Sequence, residues 1–133
     1  MGAFKYIRKN ERNSNRDAER KKEILTEVRS RPLISRMPSP SKIARAHSLG
    51  YKAKQGYITV LARVGKGSFR RPRPVHARRP SKAGIYYNLS VSKQKIAEDR
   101  VLKRYPNMKL LGSYLLTEDG KDKWFEVLLK EAK

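Results

Sequence analysis

The sequence contains no cysteine. That excludes a disulfide framework and any zinc site built on thiolates, and it agrees with a reducing compartment. No stretch approaches the ~18 consecutive apolar residues that a transmembrane helix needs. The opening MGAFKYIRKNERNSNR has no apolar run of signal-peptide length. It begins Met-Gly, but Tyr6 stands where a myristoylation signal takes Ser or Thr. Asn88-Leu89-Ser90 spells a glycosylation sequon, which carries little weight without a secretory signal. A soluble intracellular protein is expected. The most informative absence is of acid. Between Glu27 and Glu98 lie seventy residues without one Asp or Glu.

Those seventy residues carry seventeen Lys and Arg, and so supply most of the formal net charge of +21. A solvated protein surface normally mixes its signs. A carboxylate-free span of this length is expected to lie against a polyanion. An anionic membrane is the weaker candidate. Residues 14–30 mix acids and amides with their bases and have no large aromatic residue, which argues against membrane insertion.

At 133 residues the chain has length for one core. SNRDAERKKEILTEVRS (14–30) reads as a helix, with Ser14 and Asp17 resembling a capping box. Its stripe of Ala18, Ile24, Leu25 and Val28 is weak, so it is expected on the surface or completed by a partner. PLISRMPSPSKIARAHS (32–48) holds three prolines and reads as an extended basic connector, with a short helix from Ser41 to Ser48. GYITVLARV (56–64) alternates. Ile58, Val60, Ala62 and Val64 share one face, which predicts a half-buried strand with Tyr57 and Arg63 on the exposed side.

GKGSFRRPRPVHARRPSKA (65–83) has seven basic residues, three prolines and no acid. Such a loop is functional or orders on binding RNA. GIYYN (84–88) reads as a short strand. SKQKIAEDRVLKR (92–104) reads as a helix with Ile96, Ala97, Val101 and the Arg100 stem inward, and an Asp99–Lys103 pair outward. LLGSYLLT (110–117) and KWFEVLL (123–129) flank EDGKD, and the Asp-Gly predicts a hairpin. Trp124, Phe125 and Tyr114 are expected in the core.

The predicted class is therefore α+β. Strands near 56–64, 84–88, 110–117 and 123–129 form a small antiparallel sheet with the helix 92–104 packed on it. An N-terminal helix and long basic connectors are appended. Residues 1–48 form the helix-and-connector part, and 49–133 the core with its inserted basic loop 65–83.

Catalytic constellations fail. A phosphate-binding P-loop needs Gly-Lys followed by Ser or Thr, but Gly67 follows Lys66. His47 and His76, the two histidines, sit in basic segments where contact with phosphate or a base is the simpler role than general acid–base chemistry. Glu98-Asp99 are adjacent on a helix and so do not face each other. Glu118, Asp119 and Asp122 surround a turn without the spacing of a calcium loop. No metal or other cofactor, no small-molecule substrate and no enzymatic activity are expected.

LGYKAKQGY (49–57) combines lysines for phosphate, tyrosines that can stack, and glycines that allow close backbone approach. Here the sequence resembles a known family. SLGYKAKQGYITVLARVGKG (48–67) is similar to the segment that marks the archaeal and eukaryotic (e-type) large-subunit ribosomal protein fifteen. MGAFKYIRK resembles that family's opening, SKQKIAEDR (92–100) its helix, and LLGSYLLTEDGKDKWFEVLL (110–129) its hairpin. The four motifs occur in the family's order and are spread over residues 1–129.

The resemblance implies a non-catalytic constituent of the large ribosomal subunit in the cytoplasm. Its partners would be large-subunit rRNA and neighbouring ribosomal proteins, with no membrane. It implies rRNA contacts at Tyr51, Lys52, Lys54, Gln55 and Gly56. The loop from Lys66 to Lys82 stands in the place of the family's basic loop, which adds Lys66, Arg70, Arg71, Arg73 and His76, then Arg78, Arg79 and Lys82. The residue reading itself adds Arg45, Tyr57 and Arg63. Family members usually continue with a basic, His- and Arg-rich tail beyond the position of Lys133, so contacts made by that tail are expected to be absent or supplied by something else. An RNA chaperone or DNA-compacting protein using the same charge without a fixed site is the alternative of another class. A small nuclease using His47 or His76 is a third.

Overall fold

The computed structural model describes residues 2–14, 17–67, 75–77 and 90–132. Four helices and four strands follow in the order α1 (Gly2–Ser14), α2 (Ala18–Ser30), β1 (Ile34–Met37), α3 (Ile43–Ser48), β2 (Tyr57–Gly65), α4 (Lys93–Arg104), β3 (Met108–Glu118) and β4 (Asp122–Glu131). The strands form one antiparallel sheet in the order β1-β2-β4-β3. The α+β architecture with helix 92–104 packed on an antiparallel sheet is as the sequence predicts. The strand expected near 84–88 lies outside the described residues.

Local chemistry sets the boundaries. Arg31 precedes Pro32 and takes an extended backbone, φ −81 and ψ 151, which ends α2. Pro38 has no N–H to donate and follows the last residue of β1. Ser92 caps α4, its hydroxyl accepting from the Lys95 amide at 3.1 Å. Tyr105, before Pro106, closes it. In the hairpin, Asp119 Oδ1 accepts from the amides of Lys121 and Asp122 at 2.8 and 2.7 Å.

One face of the sheet carries Val60, Ala62, Val64, Phe125, Val127 and Leu129, packed against Ala97 and Val101 of α4. The other face has two clusters. Leu61 and Trp124 pack with Val28 of α2, flanked by Ile24, Leu25, Met37 and Leu116. Leu128 and Tyr114 pack with Ala46 of α3 and Tyr51. The sheet is thus the middle of three layers.

This arrangement corrects several expectations. Where one N-terminal helix is expected over 14–30, the described residues form two, Gly2–Ser14 and Ala18–Ser30, and Ser14 ends the first rather than capping the second. α2 is an integral layer, because Val28 finds Leu61 and Trp124. The connector contributes β1, whose residues pair with Thr59 to Ala62 of β2. The helix after it runs from Ile43, and Ser41 lies outside it. β2 is buried on both faces, since helices cover both. Lys95 rather than Lys103 pairs with Asp99, at 3.0 Å. Arg100 is exposed and donates to the Arg63 carbonyl at 3.3 Å.

β3 is the end strand of the described sheet. Two register shifts interrupt it, one between Leu110 and Gly112 and one between Leu115 and Thr117. Between them, Gln94 Nε2 donates to the Ser113 carbonyl at 3.2 Å and Lys42 Nζ to the Leu115 carbonyl at 2.8 Å.

Candidate nucleic-acid interface

The segment from α3 into β2 is built by two glycines. Gly50 has φ +90, a conformation L side chains rarely adopt. It lets the chain close α3 with a paired cap: the Gly50 amide donates to the His47 carbonyl at 3.0 Å, and the Tyr51 amide to the Ala46 carbonyl at 3.1 Å. The same motif brings the residue after the glycine back onto the helix. Tyr51 accordingly packs with Ala46. At the other end, the Tyr57 amide donates to the Lys54 carbonyl at 3.3 Å across a turn whose third residue, Gly56, has φ +83. The Gly56 carbonyl in turn accepts from Glu131 of β4 at 2.8 Å.

Between these fixed ends, Lys52, Ala53, Lys54 and Gln55 are exposed. Gly56→Ala should therefore destabilise by about 1–2 kcal/mol, the order of the left-handed penalty. A β-carbon there would also stand 3.3 Å from Glu131 Oε2. Thermal denaturation of the variant checks this, and an unchanged midpoint would refute a strained turn.

Tyr51 does not present its ring. It is 9% exposed and belongs to the core cluster of Tyr114 and Leu128. Its expected role as an open stacking face is replaced by anchorage of the loop. Tyr57 is half-buried and flanked by cations, with Lys54 Nζ 6.0 Å and Lys130 Nζ 5.9 Å from its ring centroid. Phe4, His47, Tyr51 and Tyr57 form a chain of edge-to-face contacts with centroids 5.6, 6.2 and 6.2 Å apart.

Of the residues named from sequence, Arg45, Lys52, Lys54, Gln55, Gly56 and Tyr57 gather at the α3–β2 junction. Arg63 and Lys66 lie at or beyond the far end of β2. Arg63 is half-buried, and Lys66 Nζ is 3.6 Å from Glu118 Oε2. His76 is exposed with φ 60. Arg70, Arg71, Arg73, Arg78, Arg79 and Lys82 lie outside the described residues.

Sequence reasoning missed the groups that hold this junction in place. Glu126 is fully buried on β4. Its carboxylate accepts from the Ser41 amide at 3.1 Å, from the Ser41 hydroxyl and from the Tyr114 hydroxyl. Burial, reinforced by that carboxylate, pushes the Tyr114 phenol well above its usual range. Lys42 completes the cluster. Burial lowers its pKa against the opposing pull of Glu126 and Glu11. α3 has no side-chain cap of its own, and Glu11 of α1 accepts from its Ala44 amide at 2.8 Å. The available signal was the position of Glu126 between Trp124 and Leu128 on one strand face, where a solvated carboxylate is out of place. Lys130 was missed because only register sets it opposite Tyr57.

The exposed groups of the junction are ammonium, guanidinium and amide donors, which suit phosphate and carbonyl acceptors. Among the described residues, no group of three or more His, Cys, Asp or Glu is placed to hold a metal ion, and no helix is long and apolar enough to cross a membrane. The family model described as Ribosomal L15 matches residues 2–132. The chain belongs to that family in its archaeal and eukaryotic form, whose members are structural proteins of the large ribosomal subunit.

Proposed function

We propose that this protein binds and stabilises large-subunit rRNA without catalysis, gripping it with the α3–β2 junction and the basic segment 65–83. The observation that carries this reading is the junction itself. Two positive-φ glycines and a buried tyrosine hold the backbone while Lys52, Lys54 and Gln55 project outward. Charge alone would serve any polyanion. A cation array fixed to a core selects RNA whose phosphates match its spacing, so discrimination rests on RNA shape more than on base edges. Neighbouring ribosomal proteins complete the site in the cytoplasmic ribosome. Arg70, Arg71, Arg73, Arg78, Arg79 and Lys82 add phosphate contacts.

Binding of deproteinised large-subunit rRNA, with tRNA as competitor, tests this. Lys52→Gln/Lys54→Gln should weaken rRNA binding and lower the slope of log affinity against log salt by about 1.5, the value for two lost phosphate contacts. An unchanged slope would remove both lysines from the interface. Equal affinity of the wild-type protein for rRNA and tRNA would favour a chaperone without a fixed site.

A further inference from the structure

α1 carries Lys5, Arg8, Lys9 and Arg12 against the one acid Glu11, but that excess does not by itself mark a contact surface. Its placement does. Arg8 and Arg12 are four residues apart and therefore share a helical face. Two contacts fix α1 beside α3: the Phe4 ring meets His47, and Glu11 receives the Ala44 amide. Between the helices runs a cleft of ≈ 420 Å³, lined by Arg8, Arg12, Lys42 and Arg45, with Tyr114 among its walls. Glu11 also lines it, but one of its carboxylate oxygens is engaged by α3.

Three arginines thus border a common space with Lys42, whose ammonium is engaged by the Leu115 carbonyl at 2.8 Å. Like charges gathered at one cleft favour an anion between them. Arginine forks match phosphate oxygens two at a time, and clustered arginines favour phosphodiester over an isolated small anion. The position of the cleft points to the source of the phosphate. α3 has six residues, so it spans about 9 Å. Arg45 on that helix lines the cleft, and the chain from the helix end at Ser48 leads within four residues to the Lys52–Gln55 loop, so an RNA strand that lies on the loop and follows α3 would reach the cleft.

We infer that the α1–α3 cleft is a second RNA-backbone site, in which Arg8, Arg12 and Arg45 grip phosphates of the strand that crosses the α3–β2 junction. This rests on the rRNA-binding reading above and extends it to the N-terminal helix. The test compares the full chain with Arg8→Gln/Arg12→Gln and with Lys103→Gln/Arg104→Gln, an equal loss of charge at the far end of α4. Each is titrated with deproteinised large-subunit rRNA across a salt series, with tRNA as competitor.

The cleft variant should bind at least tenfold more weakly at physiological salt, with a slope reduced by about 1.5. The α4 variant should change affinity less than threefold. Far-UV circular dichroism reads whether α1 survives. Arg8→Lys/Arg12→Lys keeps both charges and should restore the slope while recovering only part of the affinity. Cleft and α4 variants that weaken equally would overturn the cleft, as would a lysine variant no better than the glutamine one. Wild-type protein without preference for rRNA, but with a cleft variant still weaker than the α4 variant, would keep the cleft and overturn the ribosomal reading.

Discussion

Glu126→Ala should lower stability by about 3–5 kcal/mol, the range for removing one partner from a buried charged network. The carboxylate is wholly enclosed, and its loss strands the Ser41 amide, the Ser41 hydroxyl and the Tyr114 hydroxyl together. It also leaves Lys42 with only Glu11 of the two acids that act on it. Glu126→Gln keeps the volume and some of the bonds, so about 1–3 kcal/mol is expected. Urea denaturation measures both, through a shifted midpoint at constant m.

A second reading separates this network from simple packing. The Tyr114 phenol is raised by burial first, by the Glu126 carboxylate second and by Glu11 last. Glu126→Gln removes the second alone. Tyr114 should then titrate at lower pH than in the wild type, yet above an ordinary tyrosine, as followed by ultraviolet absorbance. A Glu126→Ala variant within 1 kcal/mol of wild type, or an unmoved Tyr114 titration in Glu126→Gln, would show that the carboxylate does not organise this region.

Trp124→Ala should cost about 3–5 kcal/mol as well, by a different route. The indole is the common wall of the cluster that joins Val28 of α2 to Leu61 of β2. Its removal opens a void that the sheet cannot close and frees the inner face of α2. Circular dichroism melts report the stability, since Trp124 is the sole tryptophan and its fluorescence is lost with it. Limited trypsin digestion should cut within residues 18–31 before the sheet opens. The Arg29–Asp119 ion pair, 3.0 Å long and 55% exposed on the arginine side chain, cannot hold the helix by itself. Resistance of that segment in Trp124→Ala would show that α2 is retained by something else.

The sequence made some of this legible. Alternation located β2, and the Asp-Gly dipeptide located the hairpin that joins β3 to β4. These signals are local, and local rules governed them. Where partners were distant in sequence, the reading failed. ISRM (34–37) is too short and too proline-flanked to read as a strand, and becomes one because β2 offers it a ladder. The stripe of α2 looked too thin for burial because three residues suffice when one of their partners is Trp124.

The candidate site divides the same way. The lysines and glycines of 49–57 were visible as types. That Tyr51 faces inward follows from the cap at Gly50, whose geometry returns the next side chain to its helix. Arg8 and Arg12 gave no signal, because only the packing of α1 on α3 turns an ordinary charged helix into one wall of a cleft.

The two interruptions of β3, with Gln94 and Lys42 seated on its carbonyls, bear on the life of the protein before it meets RNA. An uninterrupted outer strand of eleven residues would template copies of itself into fibrils. Here the ladder is offset twice and partly occupied, so newly made chains awaiting assembly find no regular border along β3 on which to polymerise. Whatever insolubility the unassembled protein shows in a cell extract should be ionic condensation with nucleic acid, dispersed by salt, rather than amyloid-like growth.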